Sequence, residues 1–212
     1  DCATMIDGLR VTWRALGNLR YNGYAYVWAN LAFVVLCLPV ITIPAAWSAL
    51  CRVGYLAHTD PSEADLGAFW QTFRQNLWRA LPWGVGSALF GYINLSNLIA
   101  YASEGSLIVV VLMMVWFLAG IVWLGILLFT WPIYYEMAEP SVWGATRNAV
   151  VMVLRNPLMT LTLLVILAAL AVVSTVLIAA WLLLTFGVVV AIGNAAVLDR
   201  LAIYYERRRI AP

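Results

Sequence analysis

Apolar residues run along this chain in long blocks separated by short polar segments. Residues 25–56, AYVWANLAFVVLCLPVITIPAAWSALCRVGYL, are apolar almost throughout, with one charge at Arg52 and breaks at Pro39 and Pro44. A bilayer core of about 30 Å takes about 20 helical residues to cross. This stretch therefore fits two short helices joined by the Leu38–Pro44 turn, or one long kinked helix. Further blocks cover residues 82–102, 107–135 and 157–198. The last holds 42 residues without a charge. As one helix it would reach about 63 Å, twice the bilayer core, so it must turn. The polar pair Ser174-Thr175 marks the expected place.

Three shorter segments carry the spacing of amphipathic helices. Residues 4–21 place Met5, Ile6, Leu9, Trp13, Leu16 and Leu19 in one stripe, with Arg10, Arg14 and Arg20 off it or at its border. A basic amphipathic helix before a span lies in the interface plane. Residues 64–81 follow the acidic segment Asp60–Asp65 and align Leu66, Phe69, Trp70, Phe73, Leu77 and Leu81, with Arg74 and Arg79 as their basic residues. Pro61 and the acidic residues suit a helix start. Residues 141–156 form the third, with Ser141 as N-cap and Arg147 and Arg155 as charges.

Composition fixes the solvent. Of 212 residues, 65% are hydrophobic and 10% charged, against about 25% charge in a soluble domain. So little polar surface cannot cover a water-exposed globule, and backbone buried in lipid must satisfy its own hydrogen bonds, which selects helices. The period-2 alternation of a barrel strand is absent. The expectation is one all-α transmembrane bundle over residues 1–212. It has six spans, or five if 25–56 is a single kinked helix, and three in-plane amphipathic helices. Units 4–58, 62–136 and 141–200 each read as amphipathic helix, span, tight tip, span. This is a hairpin repeat, or independent recurrence of a common pattern. The first 24 residues lack an apolar signal-like core, so the first hydrophobic segment is expected to be retained as a span.

Charge orients the chain. All twelve basic residues are arginine, and in the six-span reading all twelve fall on one side. The tips near 39–44, 103–106 and 174–176 receive none. The positive-inside rule then places both termini in the cytoplasm of a multi-pass inner-membrane protein. A net charge of +2 gives no footing for nucleic acid.

Candidate chemistry is sparse. Cys2, Cys37 and Cys51 show neither metal nor disulfide spacing, and the lone His58 beside an acidic loop reads as solvated. No nucleophile–base set, phosphate loop, cofactor motif or metal cluster appears. Asn94 and Asn97 share a helix face, with Ser96 beside them. They line a polar path or pack against a neighbouring helix. Arg52 is read as snorkelling, and Arg74, Arg79, Arg147 and Arg155 as cytoplasmic interface anchors.

Asn30–Leu50 with its LPVIT core, Phe69-Trp-Gln-Thr-Phe-Arg-Gln-Asn76, and the run from Phe129 through Tyr135-Glu136 to Leu154-Arg-Asn-Pro157 resemble the YesL-like membrane proteins of bacteria. The likeness extends over about residues 15–200, and Pro44 stands where the family has glycine. The resemblance implies a small polytopic protein associated with carbohydrate uptake and ABC-type sugar import, and it carries no catalytic residues. Residues 63–82 are similar at both ends to the loop by which ABC permeases dock their ATPase. The glycine falls two residues early and Asp65 replaces an alanine, so this is read as a look-alike. The expected function is a non-enzymatic accessory or assembly component linked to ABC-type carbohydrate uptake. Its partners are the bilayer and another membrane protein or complex. The alternative is a permease-like subunit with Asn94 and Asn97 in its path. In a background without native cysteines, Thr4→Cys is expected to react with impermeant thiol reagents only from the cytoplasmic side; labelling from outside would refute six spans.

Overall fold

The structure, a computed structural model, describes residues 4–102 and 105–210. The helices are α1 (Met5–Leu36), α2 (Ile43–Thr59), α3 (Leu66–Tyr101), α4 (Leu107–Glu136), α5 (Val142–Arg155), α6 (Pro157–Val176), the single turn α7 (Ile178–Ala180), and α8 (Phe186–Ile210). No strand forms among the described residues. Four segments are long and apolar enough to cross a membrane: Val40–Thr59, Leu107–Glu136, Pro157–Val176 and Ile178–Glu206. Residues 25–36 and 82–101 are outside that set. The first is too short, and lengthening it takes in Arg20 and Asn22, while Gly84, Gly86, Ser87, Asn94, Ser96 and Asn97 dilute the second.

The opening stretch forms two helices that pack on each other, which excludes the single kinked helix. Leu36 ends α1, the single 3-10 turn Val40–Thr42 reverses the chain, and Pro44 sits in the first turn of α2. Proline suits that position because its missing N–H would be unpaired there anyway. The Thr42 hydroxyl closes the turn by donating to the Leu36 and Pro39 carbonyls.

The amphipathic segments are not three separate helices. Residues 5–21 continue into α1 through a kink at Asn22 (φ −110°, ψ 20°). Residues 66–81 continue through Pro82 in the 36-residue α3. Proline removes one helix hydrogen bond. Both sides of Pro82 are nonetheless fastened: Ala80 is buried, and the Trp83 ring meets Trp131 edge-on at 5.6 Å. Only the third segment stands alone, because the backbone leaves helical geometry at Asn156 before Pro157 starts α6. Ser141 caps it as expected, accepting from the Gly144 N–H at 3.3 Å.

The core centres on α2 and α8. Buried Ala45, Ala46, Ala49, Leu50, Val53 and Ala57 of α2 meet α1, α3 and α8, and α8 is buried continuously from Val190 to Val197. The uncharged block turns at Leu177, two residues past the expected Thr175. A π-helical stretch, Trp181–Thr185, then leads into α8. The second hairpin behaves differently. Gly84 lies against Pro44, and α3 runs 17 residues further, about 25 Å beyond the start of α2. On the outer half of α4, Leu107, Ile108, Met114, Phe117 and Leu118 are all exposed. The tip expected at 103–106 lies partly outside the described residues, as does Cys2; Ser106 caps α4 by accepting from Val109 N–H.

A Cβ on Gly84 would collide with the Pro44 ring, whereas Gly86 has open space. Gly84→Ala is therefore expected to destabilise the fold by about 1–3 kcal/mol. Gly86→Ala is the matched control, and thermal denaturation in mild detergent compares them. Equal melting of the two variants would show that α2 and α3 do not meet there.

Candidate functional site

Polar contacts concentrate in four places. At one end of the bundle, ion pairs tie α1 to α8. Arg14 meets Asp199 at 2.7 Å, and Arg200 meets Asp199 at 3.0 Å and Asp7 at 3.6 Å. This clamp fastens the two ends of the chain, which sequence spacing alone could not pair.

A seam of buried amides and hydroxyls follows α1, α2 and α8. Asn18 and Asn22 donate to the Ala57 carbonyl at 2.7 and 3.0 Å. The Tyr26 hydroxyl lies 3.0 Å from Asn18 Oδ1 and 3.4 Å from both Gly54 O and His58 Nδ1. His58 is thus packed into the seam through one nitrogen, not left solvated in a loop as expected from its acidic neighbours. Asn194 donates to Cys51 O at 3.2 Å and Val190 O at 2.9 Å. Asn30 donates to the Trp181 and Leu182 carbonyls at 3.0 and 2.6 Å and accepts from Gly187 N–H at 2.9 Å. Tyr26–Asn18, His58–Gly54 and Asn194–Val190 lie within one helix, and the other links fasten helix to helix or to the π-helical stretch, so the seam reads as structure. No group of three or more potential metal ligands forms among the described residues.

The asparagines singled out from the sequence lie in the α3–α4 arm. Asn94 is 7% exposed and donates across to Trp116 O at 2.8 Å, while Gly120 opposite it leaves room for the amide. Asn97 donates to Ile93 O of its own helix, and Ser96 is exposed. The structure does not bring the three to one cavity. Arg74, Arg79, Arg147 and Arg155 are exposed, and none pairs with a described carboxylate. Trp70 and Trp78 accompany the first two, and Trp143 the second two. On α1 the stripe Met5, Ile6, Leu9, Trp13 and Leu16 is exposed, and the narrower Gly8, Val11, Ala15 face is buried.

The fourth place is a cleft of about 510 Å³ between α2, the 3-10 turn Pro61–Glu63 and the start of α3. Its walls include Arg52, Glu63, Asp65, Gln71, Thr72 and Gln75. The Arg52 guanidinium lies 5.3 Å from the ring centres of both Tyr55 and Tyr135. Tyr135 is held in turn, donating to Ser48 O at 2.9 Å and accepting from Asn76 Nδ2 at 3.3 Å. Reading Arg52 as a snorkelling residue missed this cradle. The available signal was a lone charge in 32 apolar residues with tyrosine three positions on, on one helix face.

Comparison with known proteins finds a likeness over this region. Residues 26–98, about a third of the chain, match the model of a family described as a protein of unknown function, DUF624. YesL-like proteins belong to that family. The matched segment holds the first hairpin, the cleft and most of α3. No curated protein and no solved structure matches.

At the clamp, the Asp7 carboxyl is held below its ordinary range, chiefly by the Thr4 N–H bonded to it at 2.8 Å, with Arg200, the Thr4 hydroxyl and Arg10 acting in the same sense against partial burial. A lowered folded-state pKa stabilises the fold above the ordinary carboxyl pKa, and the gain is lost as pH falls through the lowered value. Wild-type melting temperature is expected to drop below about pH 4 more steeply than that of Asp7→Asn. Parallel melting curves of the two proteins across that range would remove Asp7 from the clamp.

Proposed function

We propose that the chain is a non-enzymatic integral membrane protein that serves as an accessory or assembly component, packing its helices against a membrane complex linked to ABC-type carbohydrate uptake. The observation that carries this reading is the α3–α4 arm. It stands beyond the first hairpin with apolar side chains exposed on both helices, among them Leu89, Tyr92, Leu95, Leu112 and Phe117. Its buried amide, Asn94, is spent on holding the two helices together. An element so arranged offers surface to lipid and to partner helices and offers no polar route. Resemblance to YesL-like proteins supplies the link to sugar import.

In this reading the bundle crosses the bacterial inner membrane six times with both termini in the cytoplasm. The two extra crossings are residues 25–36 of α1 and 82–101 of α3, and the three hairpins are a structural repeat. The one-sided arginine distribution supports the orientation. The exposed Trp and Arg residues on α1, α3 and α5 suit the headgroup level.

Photo-crosslinking residues at Tyr92 and Leu112, followed by mild-detergent purification, test the reading. The expected product is a defined adduct with a subunit of a solute importer. Deletion of the gene for this chain is expected to reduce uptake of that importer's sugar. A monodisperse protein with no adduct from either arm position would overturn the accessory role.

A further inference from the structure

Arg52 is a cation with no ion-pair or hydrogen-bond partner among the described residues. Tyr55 and Tyr135 engage the guanidinium through their rings. Its five N–H donors favour a planar pair of anionic oxygens, as in carboxylate or phosphate. Gln71 and Gln75 line the same cleft, and their amides make no hydrogen bond with a described residue. Thr72 adds a hydroxyl. The floor can thus donate to an anion, while Glu63 and Asp65 in the walls disfavour a ligand that is only negative and suit one with a cation beside its anion.

A second cavity of about 570 Å³ adjoins the first. The two share Gly67, Gln71 and Gln75, and Trp70 and Arg74 complete the second, whose walls are mostly apolar. A polar cleft opening onto an apolar one is the shape of an amphiphile's binding site. Arg52 also lies in a helix apolar enough to cross a membrane, which puts the cleft within reach of lipid.

We infer that this cleft seats the headgroup of a zwitterionic phospholipid of the phosphoethanolamine class. Arg52 and the two glutamines hold the phosphate, Glu63 and Asp65 face the ammonium, and the glycerol and first acyl carbons leave along Trp70. The inference stands apart from the accessory role, since either can fail without the other.

Native mass spectrometry of the detergent-solubilised protein, titrated with phosphatidylethanolamine or phosphatidylglycerol, tests it. Phosphatidylethanolamine is expected to bind more tightly, and Arg52→Gln to weaken it about tenfold or more, the size of losing charge-assisted hydrogen bonds. Arg52→Lys keeps the charge without the fork and is expected to fall between them. If Arg52→Gln does not fold, the double variant Gln71→Ala/Gln75→Ala, at exposed positions, is expected to lose several-fold in affinity. Unchanged affinity in a folded variant overturns the site, and equal binding of phosphatidylglycerol overturns the zwitterion. Soluble glycerophosphoethanolamine is expected to compete only weakly; if it matches the intact lipid, the source is a free metabolite and the lipid assignment is wrong.

Discussion

The close approach of α2 to its neighbours is the constraint from which most of the structure follows. In lipid there is no hydrophobic force between helices, so contact rests on dispersion and hydrogen bonds, and both need backbones near each other. Ala45, Ala46, Ala49, Gly54 and Ala57 provide that proximity. Gly54 is the tightest case, since a Cβ there would run into Val190 and the Asn194 amide. Small side chains also uncover backbone carbonyls. Ala57 O accepts from two asparagines, and Cys51 O from a third. The polar seam is a consequence of the small residues, because only an unshielded carbonyl can be reached from another helix.

The same economy explains the irregular segment between α6 and α8. A π-helical stretch shifts the regular bonding pattern and leaves backbone groups to be satisfied otherwise. Asn30 serves them from α1, on both carbonyl and N–H sides. The Ser174 and Thr185 hydroxyls, 2.7 Å apart, close the turn from within. Residues far apart in the chain therefore share one duty: to make a non-helical passage tolerable where water is scarce.

Much of the architecture was legible because apolar block length and proline placement are local quantities. The Pro39–Pro44 turn, the Ser141 cap and the fold in the uncharged block followed from them. Helix continuity through Asn22 and Pro82 did not, because it depends on what holds each side of the weak point. The amphipathic stripes were legible as stripes. Which face would be buried was not, since on α1 the glycine–valine–alanine face packs and the larger residues stay outside. In lipid, size complementarity decides burial and hydropathy does not. Of the polar residues, Asn94 was found by its setting in an apolar span. Asn30 and Asn194 escaped notice because their partners lie more than 140 positions away. Arg52 was noticed, yet its tyrosine cradle depends on α4 arriving from another unit.

The unequal lengths of the hairpins carry a consequence for the surrounding bilayer. α2 has 17 residues, about 26 Å, and α4 has 30, about 45 Å. One sheet of lipid with a core of about 30 Å cannot match both. A long helix accommodates by tilting and a short one by drawing the lipid thinner. Around this fold the membrane would be thin beside Leu38, Val40 and Ile41, and α4 would lean. The protein then shapes the thickness of its own annulus, and it would prefer neighbours and membranes with that same profile.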